Sequence, residues 1–144
     1  SYLYVAFPGS IIPSGTASKA RAIFPANLLF SESAAVTYDE TTGLFSVKES
    51  GIYEISYWAV VTLPQERPFS LTLDLETPQN VSIVGSERVV TVSADTPDTL
   101  IIPAISAALV TRLLAGMSFG LNILHDGTKF PNLTDISVLI KKLS

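Results

Sequence analysis

The chain has 144 residues, 47% of them hydrophobic and only 15% charged, with a net charge of −4 and a mean hydropathy of +0.41. That length fits a single domain spanning 1–144, since single domains cluster at about 100–150 residues, and the charge balance offers no basic patch to track a phosphate backbone, which speaks against nucleic acid as a partner. The most apolar stretch, Leu100 to Met117, is broken by Pro103 and Arg112 and does not read as a membrane span, while the absence of cysteine removes disulfides and thiolate zinc sites.

In chain order, period-two alternation and β-branched or aromatic enrichment predict about ten strands. The first three are short: Leu3–Phe7, Ala22–Phe24 and Leu44–Val47. A long strand follows over Ile52–Thr62, with Tyr53, Ile55, Tyr57, Ala59 and Val61 on one face. Phe69–Glu76 alternates cleanly, Phe69, Leu71, Leu73 and Leu75 against Ser70, Thr72, Asp74 and Glu76. Arg88–Val92, Thr99–Ile102 and Leu109–Leu114 come next; the surrounding Ala104–Ala115 also has the alanine and leucine content of a short helix, and strand is the preferred reading. Met117–Leu124 and Ile136–Lys142 complete the set. Glycine, proline, asparagine and aspartate at the breaks mark turns, and no internal repeat or linker divides the chain. The pattern predicts an all-β, antiparallel β-sandwich.

Soluble domains average about 25% charged residues, so this chain carries more apolar surface than a free monomer needs, and a subunit interface is the expected place for it. Its start at Ser1 reads as a piece of something longer.

The segment Tyr38-Asp39-Glu40-Thr41-Thr42-Gly43-Leu44-Phe45, followed by Glu49-Ser50-Gly51-Ile52-Tyr53-Glu54-Ile55-Ser56-Tyr57, resembles the central signature of the C1q- and TNF-like jelly rolls. The physical sense of the signature stands on its own: Asp39 and Gly43 suit a tight turn, Phe45 anchors a short strand, and Gly51 lets the chain turn before a long strand with a buried aromatic face. The ending, Thr134 to Leu143, and the early Leu-Tyr-Val-Ala-Phe are similar to the bacterial branch that includes the BclA-like, collagen-like glycoproteins of the spore surface, or exosporium. The resemblance implies a jelly-roll topology and a homotrimeric, non-enzymatic head, extracellular on a bacterial spore or cell surface, that follows a collagen-like stalk and touches a host-surface protein or glycan. The inner sheet of such heads supplies the threefold contact. This points to the alternating faces of Tyr53, Ile55 and Tyr57, of Phe119, Leu121 and Ile123, and of Val138 and Ile140, so that Leu121→Asp is expected to dissociate the trimer. The family's calcium site maps onto no residues of this sequence. A receptor- or carbohydrate-binding head of lectin or phage-fibre type is the alternative, with ligand held by loops such as Leu63–Pro68 or His125–Pro131.

The sequence shows no catalytic set and no cofactor is expected. His125, the sole histidine, adjoins Asp126-Gly127 and reads as a polar turn residue before half of an acid/base or metal pair. No Gly-x-Ser-x-Gly elbow accompanies it. Asp74 and Glu76 read as a solvated strand face before a cation or sugar site, and no calcium-loop spacing occurs. Asn80-Val81-Ser82 and Asn132-Leu133-Thr134 match the glycosylation sequon, which matters only in a secreted eukaryotic protein. Tyr57 and Trp58 could line a carbohydrate shelf, but on a central strand both are expected in the core.

Overall fold

The computed structural model describes residues 2–7, 18–24, 29–31, 33–97 and 101–144. Among them are eleven strands: β1 (Tyr2–Phe7), β2 (Lys19–Arg21), β3 (Leu29–Ser31), β4 (Val36–Asp39), β5 (Leu44–Val47), β6 (Gly51–Thr62), β7 (Phe69–Glu76), β8 (Arg88–Val92), β9 (Ala104–Leu113), β10 (Ser118–His125) and β11 (Asn132–Lys142). They form two antiparallel sheets. A five-stranded sheet has the order β3-β1-β11-β6-β9 and a six-stranded sheet the order β4-β5-β10-β7-β8, with β2 also pairing β10.

Alternation puts one side of every long strand into the space between the sheets. From β6 come Tyr53, Ile55, Tyr57, Ala59 and Val61; from β7, Phe69, Leu71, Leu73 and Leu75; from β10, Phe119, Leu121 and Ile123. In β9 the inward set is Ile105, Ala107, Leu109 and Leu113, and the strand pairs with β6 from Gly51↔Leu113 to Val60↔Ala104. Helix propensity in this segment is thus overridden by a period of two that buries every second side chain.

The signature segment folds as its residue types require. Asp39 Oδ1 accepts the Thr41 N–H at 2.8 Å, and Asp39 O accepts the Gly43 N–H at 2.8 Å. The bond from the Thr41 N–H to the charged carboxylate, with further bonds from Thr42, holds the Asp39 carboxyl below its usual range. Gly43 sits at φ +75°, where a Cβ would also lie 2.7 Å from Ala22 O. Phe45 packs on Phe119 with ring centroids 5.5 Å apart, and Tyr38 packs on Phe45 at 4.7 Å. Gly51 has a different reason from the expected turn. It opens β6, where a Cβ would meet Ser144 O, and Ser144 O accepts the Ile52 N–H at 3.2 Å.

Two of the expected short strands shift and two strands are new. Ala22–Phe24 lies just outside a strand: Ala22 and Phe24 are buried and Ile23 is exposed, but the ladder runs over Lys19–Arg21, and the Phe24 N–H donates to the Tyr38 hydroxyl at 2.7 Å. The strands Leu29–Ser31 and Val36–Asp39 were not foreseen. Of Thr99–Ile102, residues 99 and 100 lie outside those described, and Ile101 forms an isolated bridge to Leu63.

Candidate functional site: the outer face of the five-stranded sheet

The eight residues expected at a threefold contact are all in the core of one protomer. Tyr53, Ile55, Tyr57, Phe119, Leu121, Ile123, Val138 and Ile140 are 0–2% exposed. A side chain with no surface left has nothing to offer a second copy, so the expectation is corrected: the alternation that singled them out marks the interior. Burial also pushes the Tyr57 phenol well above its ordinary pKa, so it remains a donor, to Ser86 O.

The opposite face of the same sheet has a distinct chemistry. Register places Ala6, Ser137, Trp58 and Ser106 in one row across β1, β11, β6 and β9, and Tyr4, Leu139, Ser56 and Ala108 in the next. Neither row contains a charge. Charges begin one row out: Lys141 and Glu54 stand between Tyr2 and Val110 on one side, with Arg112 beyond, and Asp135 stands beside Val60 on the other. Small side chains at Ser56, Ser106, Ala108 and Ser137 leave a concavity of about 560 Å³ with Trp58 in its wall. Trp58 is 40% exposed, which corrects its expected core position; Tyr57 is in the core as expected. At the side of the concavity the inward-pointing Arg88 of β8 donates from Nε to Ser106 O at 3.1 Å and ties the two sheets together. An uncharged centre inside a charged rim is the layout of a protein contact surface.

Searches by sequence give no matching family model and no matching curated protein. Solved structures do match. The globular domain of zebrafish complement 1qA aligns with TM-score 0.62 at 16% identity, over 99% of this chain and 97% of that one. Eiger TNF from S. frugiperda aligns with TM-score 0.60 at 14% identity, over 99% and 93%. The fold is a C1q/TNF-like jelly roll. Murine APRIL at pH 5.0 agrees, with TM-score 0.62 at 11% identity over 98% and 99%.

The jelly roll assigns other roles to the remaining candidates. His125 is not a turn residue but the last residue of β10, buried between Phe69 (6.0 Å) and Phe130 (4.5 Å), with Nδ1 accepting the Gly127 N–H at 3.2 Å. Asp74 and Glu76 are buried, not solvated. The Ser82 and Ser86 hydroxyls donate to the Asp74 carboxylate, and Lys19 Nζ pairs with Glu76 Oε1 at 2.8 Å. Among the described residues no three His, Cys, Asp or Glu side chains converge as metal ligands would. The loops Leu63–Pro68 and His125–Pro131 meet at one end of the sandwich, where Glu66 accepts the Thr128 N–H at 3.0–3.1 Å and spends its carboxylate on that turn. Asn80 and Asn132, heads of the two sequons, are both exposed. The signal that could have found the outer face was in the sequence: the alternate residues at the centres of β6, β9 and β11 (Ser56 and Trp58, Ser106 and Ala108, Ser137 and Leu139) are uncharged, with the charges falling toward the strand ends.

Proposed function

We propose that this jelly roll is a non-enzymatic head that acts by assembly, as an extracellular homotrimer whose contact uses the uncharged rows of the five-stranded sheet. The observation that carries the reading is the pair of rows from Ala6 to Ser106 and from Tyr4 to Ala108, four strands wide without a charge, on a chain short of charge overall. Water on such a face is readily displaced by a second copy, and desolvating serine and alanine costs little beside desolvating lysine or glutamate. Resemblance to collagen-like spore-surface glycoproteins adds the finer role. A trimer would register three stalk chains and present its other surfaces to the environment or a host partner.

Light scattering at micromolar concentration tests this. A mass of about three chains, stable on dilution, is expected, and a monomer would overturn it. One observation favours a second reading, a carbohydrate-binding head: Trp58, the sole tryptophan, stands half-exposed among serine hydroxyls, an aromatic shelf with hydrogen-bonding groups at hand. That reading expects a monomer whose tryptophan emission changes with sugar.

A further inference from the structure

β2 and the turn after β7 lie far apart in the sequence, and one lysine bridges them. Lys19 Nζ donates to Glu76 Oε1 at 2.8 Å and to Asn80 Oδ1 at 3.2 Å. This is not a solvated surface pair: Glu76 is 7% exposed and Lys19 is half-buried. A carboxylate withdrawn that far from water depends on the group that faces it. Three side chains thus bring together an amine, a buried carboxylate able to take its proton, and a carboxamide carbon one bond beyond the oxygen that Nζ touches. These are a nucleophile, a base and an electrophile in mutual contact.

Backbone structure holds all three. Lys19 is fixed on β2 opposite Leu124, and Glu76 on β7 opposite Gly120 with a further bridge to Ser82. Asn80 has φ 63°, the left-handed region that asparagine tolerates better than most residues. Its N–H donates to Thr77 O at 2.9 Å, and the Thr77 N–H donates to Val81 O at 2.9 Å, so the turn is closed around it. Groups placed this way need no encounter, and an amide exchange that is slow between separate molecules becomes intramolecular. The chain has no cysteine, so a covalent tie between its segments has to come from other side-chain chemistry.

We propose that Lys19 and Asn80 join in an intramolecular isopeptide bond, with Glu76 as the proton carrier. The Lys19 ammonium gives a proton to the Glu76 carboxylate, and the freed Nζ electron pair attacks Asn80 Cγ, pushing the C=O electrons onto Oδ1. Glu76 then passes its proton to Asn80 Nδ2 and takes another from Nζ. The Oδ1 electrons re-form the carbonyl, the Cγ–Nδ2 bond breaks with its pair on nitrogen, and ammonia departs with the proton from Glu76 as ammonium. Glu76 ends as the carboxylate it began as, and no oxidant or other reactant enters. Asn80 is exposed, so the ammonia leaves into water. The bond clamps β2, across β10, to the connection between β7 and β8, and it does not depend on how copies assemble.

The test is the intact mass of the purified full chain, together with fragmentation of its proteolytic peptides. The expected mass lies below that of the sequence by one ammonia, with a branched peptide joining Lys19 to Asn80. Glu76→Gln and Lys19→Arg, each checked for retained fold by circular dichroism, are expected to return the full sequence mass. Asn80→Asp is expected to form the same bond with loss of one water instead. A wild-type chain at its full sequence mass overturns the proposal, whatever the variants do. Loss of ammonia without the branched peptide overturns it too, since that marks a succinimide at an asparagine. A bond that forms unchanged in folded Glu76→Gln overturns the role of Glu76.

Discussion

The two sheets turn opposite characters to the outside. On the six-stranded sheet, register aligns Arg21, Asn122 and Asp74 in one row and Lys19, Leu124, Thr72 and Val89 in the next, so ions sit in its outer rows, and the chain itself covers part of them: Asp74 and Asn122 are buried, Asp74 beneath the Ser82 and Ser86 hydroxyls. On the five-stranded sheet the middle rows hold no ion and the charges stand at the rim. Both faces obey the same period of two, and both are the non-core side of their strands. The difference teaches that alternation locates the interior, whereas the chemistry of the alternate residues distinguishes a face whose ions the chain partly covers with its own loop from one left open and suited to meeting protein.

The comparison can be broken most severely from the inside. Leu121→Asp puts a carboxylate at a site with no exposed surface, and we expect a loss of about 4 kcal/mol or more, enough to unfold the domain rather than merely dissociate it. A cooperative urea transition close to wild type would show that this side of β10 is not core. Ser56→Arg, on the outward side of β6, is expected to leave protomer folding intact but weaken assembly by about 2–4 kcal/mol, through a charge buried without a partner. Emission from Trp58 should then shift to the red as the face opens to water, and an unmoved spectrum in a chain of unchanged mass would speak against the contact. Asp74→Ala strips the Ser82 and Ser86 hydroxyls of their acceptor, with an expected cost of about 2 kcal/mol in chemical denaturation. Smallest is Thr91→Lys on the outward side of β8, where the mass should be unchanged and the stability should stay within about 0.5 kcal/mol of wild type. A large effect there would mean that the six-stranded sheet also carries a contact.

Sequence reasoning reached the fold because the long strands declare themselves. Phe69–Glu76 and Leu44–Val47 were legible to the residue, since each sends a strictly alternating set into the core. Val36–Asp39 was hidden because its outward positions, Thr37 and Asp39, look like part of the turn that follows, and only pairing with β5 makes it a strand. His125 and the pair Asp74 and Glu76 were misplaced for a shared reason. Their burial comes from segments outside their own strands, Phe69 and Phe130 in one case and the Ser82–Ser86 loop with Lys19 in the other. The candidate site was inverted for a subtler one: apolar side chains in period two were assigned to an interface, but a sandwich of this size needs them all inside, and its contact surface has to be built from what is left.

The neighbouring placement of the chain's two ends has a mechanical consequence. β1 and β11 are antiparallel partners, paired from Tyr2↔Lys141 to Phe7↔Ile136 near the middle of the five-stranded sheet. Tension applied at Tyr2 and resisted by the body of the domain runs along β1 and loads all six pairs of that ladder together in shear. Tension between the two ends instead acts first on Tyr2 and Lys141 and peels the pairs apart one after another. The domain is therefore built to hold against a pull from its amino-terminal end and to yield sooner when its two ends are drawn apart.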